Sequence, residues 1–121
     1  MTKQIDTYNH MIGSGAILYP WWAIERDSSP ESLSVPDNAY DGWEVILWEV
    51  DPETGETVSG PHTVNHAVSM RAANSIARDN QWNTSLRAEC WNLIRDDDAD
   101  FDQPSADVVL QVALFGDTKY S

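Results

Sequence analysis

Residues 43–50, Trp-Glu-Val-Ile-Leu-Trp-Glu-Val, constrain the fold more than any other part of the chain. On an extended backbone side chains alternate between faces, so Trp43, Val45 and Leu47 point one way and Ile46, Trp48 and Val50 the other. Only Glu44 and Glu49 interrupt, and both faces read as covered, as for a central strand or one at an interface. Asp51-Pro52-Glu53-Thr54-Gly55-Glu56 then supplies turn formers, and residues 57–64 return as a weaker strand containing Gly60-Pro61. A central hairpin is expected.

After the hairpin the period changes. With Asn65 as cap, Val68, Ala72 and Ile76 recur at helical spacing, Met70, Ala73 and Ala77 widen the stripe, and Arg71, Asn74 and Arg78 lie opposite. A second helix is expected over 84–95, with Leu86, Cys90, Leu93 and Ile94 inward. Residues 105–115 fit both a strand and a helix. Asp102 or Ser105 as cap, Pro104 in the first turn and Gly116 after the end favour a helix. Upstream, Ile5, Tyr8 and Ile12 mark a short first helix ended by Gly13-Ser14-Gly15, residues 16–25 read as an edge strand or one broken at Pro20, and residues 27–42 as a long polar loop. The expected fold is α+β: about three antiparallel strands packed against three to four helices, in one domain spanning 1–121. A chain of 121 residues buries roughly two-thirds of its unfolded surface, enough for a core without metal or disulfide support. Cys90 stands alone, which excludes an intrachain disulfide and fits a reducing compartment.

Charge narrows the function. Twenty acids oppose seven Lys and Arg, a formal net charge of -13. Residues 25–60 hold ten acids against Arg26, and residues 96–121 hold seven against Lys119, whereas four arginines (Arg71, Arg78, Arg87, Arg95) lie between. The first five elements follow the order of a double-stranded-RNA-binding domain, but direct nucleic-acid binding needs a basic surface, and that surface is missing. A polybasic membrane-surface protein is excluded likewise, and no run of about 18 apolar residues or secretory signal is visible. Thirteen of the twenty acids are Asp, which favours turns and caps, so much of the charge is expected on loops.

Several motifs were tested against specific chemistries. With Asp96 at position 1, Asp98, Asp100 and Asp107 fall at positions 3, 5 and 12 of a calcium loop, yet Phe101 replaces the turn glycine, Asp107 the bidentate Glu, and Pro104 intrudes. A calcium module is therefore a lesser alternative to a solvated acidic linker. His62 and His66 are four apart but lack the HExxH glutamate, so no metal site is expected. No nucleophile, base and stabiliser can be named together, and Cys90 reads as an inert inward thiol. Glu44 and Glu49, five apart on one strand, face opposite ways and cannot work as a pair. Neither an enzyme nor a cofactor is expected.

Asp100-Phe101-Asp102-Gln103-Pro104-Ser105-Ala106-Asp107-Val108-Val109-Leu110-Gln111-Val112-Ala113-Leu114-Phe115-Gly116 resembles the carboxyl end of small acidic proteins of unknown function from bacteriophages of actinobacteria. Tyr19-Pro20-Trp21-Trp22 and Asp41-Gly42-Trp43-Glu44-Val45 are similar in style, and the likeness covers about a third of the chain. The resemblance implies an accessory protein in the cytoplasm of an infected cell and transfers no site residues.

The expected function is a non-enzymatic interaction module whose carboxylates imitate nucleic-acid charge and engage a basic host protein, itself a nucleic-acid binder. The expected contact residues are Glu44, Glu49, Asp51, Glu53 and Glu56 on the hairpin and Asp96, Asp97, Asp98 and Asp100 in the linker, gathered into one strip. Trp21 and Trp22 join them as exposed anchors, because adjacent residues on a strand face opposite sides and aromatic residues dominate interface energetics. Trp43, Trp48 and Trp91 are expected in the core. The alternative is a small phage assembly protein that self-associates, as a homodimer, through the 43–50 strand and the tryptophan pair.

Overall fold

The computed structural model describes residues 2–30 and 34–121. Four helices, α1 (Gln4–Met11), α2 (His66–Ala77), α3 (Thr84–Ile94) and α4 (Gln103–Phe115), accompany three strands, β1 (Trp22–Asp27), β2 (Glu44–Val50) and β3 (Thr57–Asn65). The strands form an antiparallel sheet in the order β1-β2-β3, so the strand with the strongest apolar pattern is central. The fold is the small α+β arrangement expected from the sequence.

The caps explain the helix boundaries. Asn65 Oδ1 accepts the Val68 N–H at 2.9 Å, Asn83 Oδ1 accepts that of Leu86 at 2.8 Å, and Asp102 Oδ1 accepts that of Ser105 at 2.9 Å. Each satisfies one of the donors that a helix start leaves unpaired. At the end of α4, Gly116 takes the left-handed conformation (φ +81°) and returns its N–H to the Val112 carbonyl. These local signals settle the strand–helix ambiguity of residues 105–115.

Two expectations need correction upstream. Residues 16–25 are not one strand: Ala16–Leu18 forms a 3₁₀ turn, and pairing begins only at Trp22, after Pro20. In α1 the inward face centres on Thr7 and Met11, both fully buried, while Ile5 is half-buried. Thr7 is tolerated there because its hydroxyl donates to the Gln4 carbonyl, accepts the Trp43 indole N–H at 3.1 Å and shares a 2.9 Å hydrogen bond with His66 Nδ1. The long loop expected over 27–42 includes Glu31, Ser32 and Leu33, which lie outside the described residues. Asp37–Tyr40 closes as a 3₁₀ turn that buries Tyr40.

The sheet is covered on one face. Trp22, Val45, Leu47 and Val64 join residues from all four helices in one core, together with Trp43. Ile46, Trp48 and Val50 lie on the other face, half-buried and outside that core. Trp48 is therefore corrected from core to outer face, and Trp91 is only half-buried. Cross-strand partners on the outer face are Ala23 for Trp48, and Arg26 and Thr63 for Ile46. The strand is two-faced in pattern, but only its odd-numbered side meets helices. No helix is long and apolar enough to cross a membrane.

Asn65 links β3 to α2 and caps the latter. Asn65→Ala is expected to lower stability by about 1 kcal/mol, read as a lower urea midpoint with an unchanged slope. An unchanged midpoint would show that the cap contributes nothing.

Candidate interaction surface

The hairpin turn 51–56 is built by its own side chains. Asp51 Oδ1 accepts the Glu53 N–H at 2.8 Å, the Asp51 carbonyl accepts that of Gly55 at 2.7 Å, and Gly55 supplies the positive φ (+76°). Glu53 and Glu56 project into solvent, and Asp51 is half-buried. The turn after α3 is acidic in a different place. Asp96 adopts φ +59°, which Asp tolerates better than most residues, and Asp97 returns its N–H to the Asn92 carbonyl. Asp96, Asp97 and Asp98 line a small cleft with Thr2, Asp6 and His10, and the Asp100 N–H donates to the Glu89 carboxylate.

These two blocks do not form the single strip expected from the sequence. The 51–56 turn extends the sheet beyond Val50. The 96–98 turn packs on α1, whose first residue, Gln4, accepts the Gly42 N–H at the opposite end of β2. A seven-residue strand of about 23 Å lies between those ends. The carboxylates are two patches.

Glu49 belongs to neither. It is 1% exposed because its odd position turns it inward, and three side chains satisfy it. Oε2 accepts from Lys119 Nζ at 2.9 Å and from the Tyr120 hydroxyl at 2.5 Å, and Oε1 accepts from Ser59 at 2.7 Å. Desolvation pushes this carboxyl upward, but the donors Tyr120, Lys119 and Ser59, with the Lys119 charge, outweigh it and hold Glu49 below its ordinary value. The same hydrogen bond to Glu49, helped by desolvation, pushes the Tyr120 phenol up to about 12. Glu44 is on the outer face, where Arg26 Nη2 reaches its Oε1 at 2.9 Å.

Trp21 and Trp22 are also corrected. They are 7% and 6% exposed and cannot act as surface anchors. Both indole N–H groups donate to Asp107 Oδ1, at 3.1 Å and 2.7 Å, and Gln111 Nε2 donates to Oδ2 at 2.7 Å. Asp107, the would-be last ligand of a calcium loop, is thus an inward residue of α4, committed to two indoles. Nothing in its spacing from Asp96 distinguishes the two roles; the helical stripe of Ala106, Val109 and Leu110 beside it was the available signal.

The remaining reactive groups are engaged. Cys90 is fully buried, and burial, with a contribution from Glu89, pushes its thiol up to about 12. Ser59 lies 2.7 Å from His62 Nε2, a Ser–His contact that the sequence gave no means of finding. Its hydroxyl proton is directed at Glu49, so the imidazole donates to Ser59 instead of taking its proton. His66 is pushed down by burial and faces Thr7, so the two histidines have separate partners. Among the described residues no three His, Cys, Asp or Glu side chains converge as a metal-binding group.

The arginines are occupied away from the acids. Arg78 and Arg95 lie over the Trp91 ring, 5.1 Å and 4.8 Å from its centroid, and Arg87 donates to the Ala77 carbonyl at 3.4 Å. Ion pairs among the described residues are Lys3–Asp37, Arg26–Glu44 and Lys119–Glu49. Glu53, Glu56, Asp96, Asp97, Asp98 and Asp100 have no cation within ion-pair distance. Compared with protein-family models, curated proteins and solved structures, the chain shows no significant match.

The Glu49–Tyr120 contact ties stability to pH at both extremes. Glu49 has a depressed value in the fold, so its contribution is complete above the ordinary carboxylate range and is lost as pH falls through the folded value. Tyr120 is raised from 10.0, so its contribution is complete below pH 10.0 and disappears as pH rises towards about 12. Tyr120→Phe is expected to cost about 1–3 kcal/mol at neutral pH, to raise the acid unfolding midpoint and to abolish the alkaline loss assigned to this phenol. Denaturation across pH checks this, and a variant profile parallel to the parent's refutes it.

Proposed function

We propose that the protein is a non-enzymatic acidic interaction module, encoded by a phage and acting in the cytoplasm of an infected cell. Its exposed carboxylates engage a basic host protein at a surface built to read nucleic-acid phosphates. The observation that carries this reading is the separation of charge. The carboxylates of the 51–56 and 96–100 segments stand in solvent without cations, while Arg78, Arg87 and Arg95 are held elsewhere by Trp91 and Ala77. Acids left unneutralised by their own chain offer a field that a Lys- and Arg-lined surface meets without first breaking internal pairs. The division into two patches shortens the imitation: Asp96, Asp97, Asp98 and Asp100 form one compact row, and Glu53 and Glu56 a second, smaller contact.

Two variants test this, Asp96→Asn/Asp97→Asn/Asp98→Asn/Asp100→Asn and Glu53→Gln/Glu56→Gln. All six side chains are exposed, so folding is expected to survive. Affinity for the basic protein captured from host lysate at low salt is expected to fall at least tenfold in the first variant and steeply with ionic strength in the parent. Flat salt dependence, retention of affinity in both variants, or capture of no Lys- and Arg-rich protein overturns the proposal.

A second reading, self-assembly, is favoured by the outer sheet face. Ile46, Trp48 and Val50 form an apolar row that no helix covers, beside the exposed Ile24 and Val58. If two copies bury this face, sedimentation shows a concentration-dependent dimer that Trp48→Thr returns to monomer. A parent that is monomeric at all concentrations removes this reading.

A further inference from the structure

A cavity of about 420 Å³ lies between the α2–α3 turn, the first turns of α4 and the carboxyl-terminal segment. Its walls include four aromatic rings, Tyr19, Trp21, Trp82 and Tyr120, with Leu86 and Val108 supplying aliphatic surface. Trp21 is stacked on both sides, with Tyr19 at 4.6 Å and 6° and with Tyr120 at 5.2 Å and 7°. A three-ring stack of this kind is stiff and keeps the wall from collapsing inward. Asp107 also lines the cavity while being only 4% exposed.

The charge on Asp107 is what the rest of the fold leaves unanswered. Two indoles and one amide use three of the roughly four acceptor positions of a carboxylate. All three donors are neutral, and among the described residues no Lys or Arg lies within ion-pair distance. A buried carboxylate is normally paired with a cation or bound to one. The cavity beside it has the other half of a cation site, because aromatic rings attract positive charge and do so more strongly when desolvated.

We propose that this cavity binds an organic cation, a guanidinium or alkylammonium group on an apolar stem, with its charge near Asp107 and its stem along Leu86 and Val108. A hard metal ion is a poor fit, since it wants several oxygen ligands and the wall offers rings and aliphatic carbon. An anion is opposed by Asp107 and by the net charge of -13. The group arrives either as a free small molecule or as an Arg side chain presented by a protein. The inference stands apart from the acidic surface patches, because neither patch lines the cavity.

The test titrates the protein with agmatine, with acetyl-Gly-Arg-Gly-amide and with acetyl-Gly-citrulline-Gly-amide, following the indole N–H resonances of Trp21 and Trp22. The citrulline peptide has the shape of the arginine peptide without its charge. Saturable shifts are expected with agmatine or the arginine peptide, and at least tenfold weaker binding with citrulline. The tighter of the two cations identifies the source, free or protein-borne. Asp107→Asn is expected to weaken cation binding at least tenfold. Should that variant unfold, Trp82→Leu serves instead, since Trp82 is half-buried and makes no hydrogen bond, and the same loss is expected. Glu53→Gln/Glu56→Gln leaves binding unchanged, which separates this site from the surface proposal. Equal binding of citrulline and arginine peptides, absence of any saturable shift, or undiminished binding in the folded cavity variant overturns the inference.

Discussion

Two buried carboxylates joined through Gln111 hold the sheet, α4 and the end of the chain in one arrangement. Asp107 takes the N–H groups of Trp21 and Trp22 at the entry to β1. Gln111, one turn later and fully buried, donates to Asp107, and its Oε1 accepts the backbone N–H groups of Lys119 and Tyr120 at 2.7 Å and 2.9 Å. Those two residues then supply the side chains that satisfy Glu49 in the central strand. A buried polar network is costly when any member is left unpaired, and no buried side-chain N or O among the described residues lacks a partner. The consequence is specificity of position: an apolar core would allow α4 to slide or rotate, whereas these directional bonds accept one placement.

That network explains which parts of the fold were legible in the sequence. Everything set by neighbours in sequence could be read: the alternation of β2, the turn formers at 51–56, and the Asn65 and Asp102 caps with Gly116. Parity also placed Glu49 on the side of Val45 and Leu47, although its charge argued for solvent. What could not be read was what would satisfy it. Lys119 and Tyr120 are 70 and 71 residues away, and the Trp21 and Trp22 partner is 86 and 85 residues away. A buried acid and an exposed acid look alike in sequence until the donors are known. For the same reason Asp107 could be placed in a calcium spacing, and the tryptophan pair on the surface, by arguments that were each locally sound.

The candidate site was legible to a different degree. Asp in turns predicted that much of the charge would lie on loops, and the exposed acids of 51–56 and 96–100 do so. Their expected union failed because the order of elements along the chain says little about which end of the sheet each loop reaches. Nor did composition reveal that the arginines are engaged elsewhere. Trp91, between the guanidinium groups of Arg78 and Arg95, draws positive charge to the α2–α3 side, and the molecule is polarised as a result.

The sheet adds a further asymmetry. Helices bury the odd side of β2, and the even side carries Ile46, Trp48 and Val50 with nothing packed above them. Covering that side would require either a longer chain or another molecule. Covering the polar side of the design, by contrast, is complete within the chain except at Asp107, where every donor is neutral. Apolar surface and negative charge are therefore unmet in different places, and a ligand that answers one does not answer the other. Contacts at the outer sheet face respond little to salt, whereas recognition at the acidic loops is screened over about 8–10 Å. A buried cation site beside Asp107 is screened far less than the loops, so ionic strength alone sorts the surfaces from the cavity.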